Sequence, residues 1–270
     1  MPHLVTLVNA PAPLPPAAIQ SLAERLATDA YSIRLAFHRP PPVILSHSVE
    51  AAAAEQAVLE LAGYGCEAYA LDQQEIKNLA EPLRPRTLAL HRDHVRFIMA
   101  EAELVLSRWE NLFLLVHGRC RFFARERTRY SPTPGRYTMP GTVPQSDASR
   151  EAVTEKLDIY FFDGSVPVRI DCNRFSFPFL GSKRGLTDGQ SLETTIRAIR
   201  KFAPQAVHDE GFEQFRRTGA TAGRSSRVRD MPIGGGWMTM QRDVEDDGPR
   251  FDFYSRLAFL IHLRRAERAT

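Results

Sequence analysis

The apolar residues of this chain change their period near residue 80, and that change limits the folds open to it. Before it, short apolar runs alternate with segments whose apolar residues recur every three or four positions. "NLAEPLRPRT" (Asn78–Thr87), punctuated by two prolines, interrupts both patterns. Beyond it, "TLALH", "HVRFIM", "AELVLSRW", "LFLLVHGRCRFFARERTRY", "KLDIYFFDG" and "PVRIDCNRFSF" are rich in β-branched, aromatic or alternating apolar residues, as half-buried strands are. "DGQSLETTIRAIRKFA" then returns to helical spacing. Leu192, Ile196, Ile199 and Phe202 share a face there, and Asp188 or Ser191 can cap it. A chain of 270 residues has room for two domains. The connector is the expected boundary, giving domains at 1–80 and 86–270 and an α+β fold class.

In the first part, "HLVTLV" reads as a strand and "PPAAIQSLAERLATD" as a helix carrying Ile19, Leu22, Ala23 and Leu26 on one face. "YSIRLAF" alternates like a strand, "RPPP" turns the chain, and "VILSHS" reads as another strand. Ser48 is placed to cap the alanine-rich helix "VEAAAAEQAVLELAGYG", which Gly63 and Gly65 would stop. "CEAYALD" closes the unit as a strand. The order βαββαβ is that of the ferredoxin-like sandwich. That fold hosts enzymes, RNA binders and docking modules alike, so it assigns no function.

"ALHRDHVRF" followed by "LVLSRWENLFLLV" resembles the opening of bacterial pleckstrin-homology-like domains: a strand, a polar turn, a second strand, then a corner of the form W-x-x-[LIV] before a third. Here that corner is Trp109-Glu110-Asn111-Leu112. The similarity covers 86–203 and implies a β-rich binding scaffold with a closing helix, not a reaction. The sequence departs from that group in a long insertion, "SPTPGRYTMPGTVPQSDASREA" (131–152), which reads as a mobile loop. After the closing helix, 216–236 reads as a flexible basic loop. "GGGWMTMQ" then suggests a short strand, and "DFYSRLAFLIHLRRAER" a terminal helix with Phe253, Leu257, Leu260 and Leu263 as its stripe.

Only four of the 35 basic residues are lysine (Lys77, Lys156, Lys183 and Lys201). Since GC-rich coding explains such a bias, the placement of the arginines counts and their number does not. Arg119, Arg121, Arg125, Arg127 and Arg129 all fall on odd positions of one predicted strand. They would line one side over about 33 Å, with Phe123 among them. Such a row suits phosphates and a stacked base. The plainer reading is a solvated face paired with acids of neighbouring strands, such as Asp158 or Asp171. Arg216, Arg217, Arg224, Arg227 and Arg229 form a second basic set, with no acid among them until Asp230.

Motifs for chemistry are missing. "GATAGRSS" (Gly219–Ser226) lacks the glycine spacing and the lysine of a phosphate-binding loop, and Gly234–Gly236 do not space as a dinucleotide fingerprint. No G-x-S-x-G elbow is present. His91 and His94 in "HRDH" flank a turn and have no third ligand nearby. Cys66, Cys120 and Cys172 are odd in number and far apart, against a disulfide framework or a zinc knuckle. No cofactor, metal or catalytic residue is therefore expected. The N-terminus carries no export signal, no run approaches a membrane span, and the low cysteine content suits a reducing bacterial cytoplasm. The expected function is a non-enzymatic binding or regulatory module for a protein partner. An arginine-surface anion binder, for nucleic acid or acidic lipid headgroups, is the alternative. An enzyme with an interdomain pocket is a third reading. The sequence leaves the oligomeric state open.

Overall fold

The fold is known from a computed structural model, which describes residues 2–11, 13–100, 103–132, 146–217, 224–233 and 236–269. It is a mixed α+β structure with several antiparallel sheets. The chain begins β1 (His3–Asn9), α1 (Pro16–Arg25), α2 (Ala30–Phe37), β2 (Val43–Val49), α3 (Ala51–Gly63), β3 (Glu67–Asp72). The strands form a sheet in the order β2-β1-β3, each outer strand antiparallel to β1. Helix α3 therefore links two parallel strands across the strand between them.

One element corrects the expected βαββαβ order. Residues 31–37, read as a strand, are helical. The Asp29 carboxylate accepts from the Ser32 backbone N–H at 2.8 Å and from its hydroxyl at 2.6 Å, an N-cap that starts α2. Ile33 and Ala36, three apart, are the residues that face inward. A second correction is the start of α3: β2 runs through Val49, and Glu50 is the N-cap residue, without a side-chain bond. Ile19 and Leu22 of α1, Ile33 of α2 and Ala54, Ala57 and Leu61 of α3 pack with Val5, Leu7 and Ala68 of the sheet into one apolar core.

After α4 (Gln73–Asn78), three strands form an antiparallel meander: β4 (Thr87–Leu90), β5 (His94–Ile98) and β6 (Glu103–Arg108). A short 3-10 turn at Trp109–Asn111 makes the corner, its indole N–H donating to the His91 carbonyl at 3.0 Å. Then follow β7 (Leu112–Pro132), β8 (Ser146–Phe161), β9 (Val168–Asp171), α5 (Asp188–Phe202), β10 (Val207–Asp209), α6 (Phe212–Arg217), β11 (Arg224–Ile233), β12 (Gly236–Asp246) and α7 (Gly248–Ala269). The expected loops shrink accordingly. Both ends of the 131–152 insertion belong to β7 and β8, while 133–145 lie outside the described residues. The segment expected as a basic loop at 216–236 holds the end of α6 and all of β11, because the alternation of 224–233 pairs it with β12 in full register. Residues 218–223 and 234–235, with most of "GATAGRSS", lie outside the described residues. The expected short strand before the last helix is the eleven residues of β12.

The chain makes two compact units. The first comprises Met1–Arg119, Glu155–Ala220 and Asp252–Thr270, the second Cys120–Thr154 and Thr221–Phe251. In the second, the strand order is β11-β12-β7-β8. In the first, β10, β7, β8 and β9 lie side by side, and their apolar face packs with β4, β5 and α5 around Phe97, Leu115, Ile159, Ile170, Leu192 and Ile196. Phe175 and Phe177 enter this core from a bend, not from a strand. Helix α5 is capped by Thr187 rather than by Asp188 or Ser191: Gln190 and Thr187 exchange side-chain to backbone bonds in a capping box.

Helix α7 closes the first unit along a face centred on Tyr254, Leu257, Ala258 and Ile261; Phe253 and Leu263, expected in its stripe, are only half-buried. Its C-terminal arginines meet β3: Arg265 forks onto Glu67 at 2.6 and 2.7 Å, and Arg268 lies 4.4 Å above the Tyr69 ring. The fork holds the Glu67 carboxyl below its ordinary range, against the upward push of burial. A depressed carboxyl contributes stability above its unfolded pKa and loses it as pH falls through the folded value. Glu67→Gln is thus expected to cost about 1 kcal/mol at pH 7 and almost nothing near pH 2. Urea titrations at the two pH values measure this.

Candidate functional site

Residues directly opposite in an antiparallel pair share a face, so the register of the second unit sorts its arginines. Phe123, Arg125, Arg127 and Arg129 of β7 stand across from Glu245, Asp243, Gln241 and Thr239 of β12. Ser226, Val228 and Asp230 of β11 complete that face. Arg227 and Arg229 fall on the opposite face, in rows with Arg242 and Glu126 and with Met240 and Thr128. The two basic sets singled out in the sequence are therefore divided between two faces. Arg224 takes the register position opposite Glu245. Arg216 closes α6 with a 2.9 Å bond to Glu213, and Arg217 is exposed beside it. Arg119 belongs to the first unit, and the Arg121 backbone N–H donates to Asp247 at 3.1 Å.

The acids that meet the β7 row are Asp147 and Asp243, not Asp158 or Asp171. Arg125 forks onto Asp147, with Nε 2.9 Å from Oδ1 and Nη2 on Oδ2. That fork holds the Asp147 carboxyl low. Hydrogen bonds from Ser226 at 2.7 Å and from Gln241 at 3.1 Å, with Arg127 and Arg125 close by, do the same for Asp243. The face is zwitterionic along its length.

A different cluster lies in the first unit, on residues the sequence reading passed over. Strand β10 runs parallel to β7 with His208 beside Leu115, so His208 comes next to His117, two residues further along the same side. Their rings stack at 6.3 Å, 17° from parallel. Glu210 Oε1 lies 3.8 Å from His117 Nδ1 and 3.7 Å from His208 Nε2, and Glu155 Oε2 lies 3.4 Å from His117 Nε2. Burial lowers the His208 pKa, so the ring is neutral near pH 7. The bond to His117 lowers that of Glu155. Asp209 points the other way. It accepts from the Tyr254 hydroxyl, from His262 Nε2 at 3.0 Å and from the Gly211 N–H at 2.9 Å. The chain matches no family model, no curated protein and no solved structure.

A cleft of about 930 Å³ beside α5 is lined by Leu90, Phe179, Phe202, Lys183, Arg197 and Lys201. The rings of His91 and His94 stack at 4.4 Å across the β4–β5 turn. The three cysteines are buried and form no disulfide, and burial pushes the Cys172 thiol up to about 12, which removes it as a nucleophile at neutral pH. No helix among the described residues is long and apolar enough to cross a membrane. The signal for the missed cluster was "VHDEG" (Val207–Gly211): three adjacent ionisable residues between an apolar residue and a glycine.

Proposed function

We propose that this protein is a non-enzymatic binding or regulatory module whose four-stranded unit recognises a protein partner. The carrying observation is that no described side chain at 121–132, 146–154 or 224–246 is buried. A sheet gains independent stability by packing at least one face. Here Val228 is 62% exposed and Trp237 53%, with Phe123 and Val153 open as well. A partner that covers a face, or adds a strand beside β11, supplies the missing packing. Interleaved arginines and acids suit a protein surface better than a polyphosphate, which asks for unopposed cations. The anion alternative keeps one support: Arg127 and Arg129 stand opposite Gln241 and Thr239 rather than acids.

The same reading takes 86–203 as a pleckstrin-homology-like scaffold, supported by the β4–β6 meander, the Trp109 corner, β7–β9 and the closing helix α5. It takes 1–80 as a ferredoxin-like sandwich in which a helix replaces one strand. The test is a photo-cross-linking residue placed in native cells at Val228 or Trp237, with Leu186, 98% exposed in the first unit, as control. One discrete protein adduct shared by the two test positions, absent from the control and stable to high salt, is expected. Nuclease-sensitive adducts, together with weaker heparin retention of Arg125→Glu/Arg127→Glu/Arg129→Glu, would transfer the reading to anion binding. Absence of any position-specific adduct would overturn both.

A further inference from the structure

His117, His208 and Glu210 gather one donor atom each within 4.8 Å of one another. Two of the three side chains are held by paired strands, β7 and β10, and are mostly buried, with 17% and 12% of their surfaces accessible. His208 Nε2 is shielded from solvent and has no hydrogen-bond partner. A buried polar nitrogen left in that state is costly unless something else occupies its lone pair. His117 is arranged to leave a lone pair inside the cluster too. Its Nε2 lies 3.4 Å from Glu155 Oε2, and the tautomer that donates to that carboxylate turns the Nδ1 lone pair towards Glu210. Carboxylate, imidazole and donor cluster follow one another in the order that metal sites use to orient a ligating histidine. Gly189 leaves room for the Glu155 carboxylate: a Cβ there would come within 2.7 Å of Glu155 Oε1 and push it aside.

We propose that His117 Nδ1, His208 Nε2 and the Glu210 carboxylate bind a zinc-class divalent transition ion, with Glu155 as the positioning residue for His117. Donors about 2.1 Å from a tetrahedral zinc ion stand about 3.4 Å apart. The observed 3.7 and 3.8 Å spacings to Glu210 need a few tenths of an ångström of contraction, which Glu210, 67% exposed, can supply, and the two imidazole nitrogens, within 4.8 Å of one another, close on the ion by ring rotation. Two imidazoles select this class over magnesium and calcium, which prefer oxygen alone. Three protein ligands leave a fourth position for water on the exposed Glu210 side.

The test uses the full chain stripped with a chelator, then titrated with zinc chloride against a chromophoric competitor and with cobalt chloride by visible absorption. One ion per chain is expected, at micromolar or tighter affinity, with a four-coordinate cobalt spectrum and a higher Tm in zinc. Glu210→Gln, which changes an exposed group and should fold as the wild type does, is expected to weaken binding at least 30-fold and abolish the Tm rise. His208→Ala should weaken it further. Glu155→Gln should cost about 10- to 100-fold while keeping the cobalt spectrum four-coordinate, and Gly189→Ala, which displaces the Glu155 carboxylate, should weaken binding by less than that. His91→Ala/His94→Ala should bind like the wild type. Undiminished affinity in a folded Glu210→Gln, or loss of the ion in the His91/His94 variant instead, would overturn the assignment. So would a wild type that takes up no stoichiometric zinc.

Discussion

Asp158→Ala is expected to cost about 3–5 kcal/mol of unfolding free energy, because it strands a buried guanidinium. Arg169 Nε and Nη2 each lie 2.6 Å from an oxygen of Asp158, and both side chains are nearly inaccessible, at 4% and 0%. Ser255 of α7 donates to the same carboxylate at 2.5 Å, Tyr160 bonds Ser255 at 2.9 Å, and Arg169 Nη1 reaches Asp252. Burial alone would make Arg169 easier to deprotonate, but its bonds to Asp158 and Asp252 outweigh this and push its pKa further up. The charge persists even when Asp158 is removed, because an arginine guanidinium does not deprotonate in proteins. Asp252, half-exposed, can compensate only in part. A matched apolar pair, Asp158→Leu with Arg169→Met, should recover most of the loss, since burying an ion pair is itself expensive. Urea unfolding at a constant m value checks both. A loss below about 1 kcal/mol for Asp158→Ala would mean that the network holds the fold only weakly.

That network also marks the limit of what could be read from residue types. Asp158 stood in the sequence as a candidate partner for the arginine row of β7. Its true partner, Arg169, sits one hairpin away on β9, where the register places Asp158 directly opposite. Helix α5 was legible because its apolar residues admit one period only. Residues 31–37 admit two: Tyr31, Ile33, Leu35 and Phe37 alternate, while Ile33 and Ala36 mark a helical face. The structure leaves Tyr31 71% exposed and Leu35 37% while Ile33 is buried, so the alternating set is split between the outside and the inside of a helix. The local cap at Asp29 decided between the two periods. The His117–His208 juxtaposition depends on a three-residue parallel pairing between segments some ninety positions apart. Local periodicity carries no information about such a pairing, and a three-residue strand with one apolar residue is too short to show a period.

Gly211→Ala and Asp209→Ala should both destabilise the first unit by about 2–4 kcal/mol, one by a steric clash and the other by a lost hydrogen-bond acceptor, and one further substitution separates the two causes. Asp209 gathers the Tyr254 hydroxyl, His262 and the Gly211 N–H. Burial pushes its pKa up, yet those three donors outweigh it and leave it below the ordinary carboxylate range, a sign that the ionised form is well solvated by the protein. Removing the carboxylate leaves the phenol of Tyr254, itself fully buried, without an acceptor. Adding a methyl at Gly211 drives a Cβ into that same hydroxyl. Tyr254→Phe deletes the hydroxyl and should cost about 1 kcal/mol alone. In the Tyr254→Phe background Gly211→Ala should become much milder, because the obstructing atom is gone. Asp209→Ala should also become milder there, because no phenol is left unpaired. Two double-mutant cycles in the presence of a chelator, so that no metal at His208 contributes, measure the couplings. If both pairs proved additive to within about 0.5 kcal/mol, the Tyr254 hydroxyl would not be the atom that ties β10 to α7, and the packing of Phe212 and Phe215 against that helix would have to carry the junction instead.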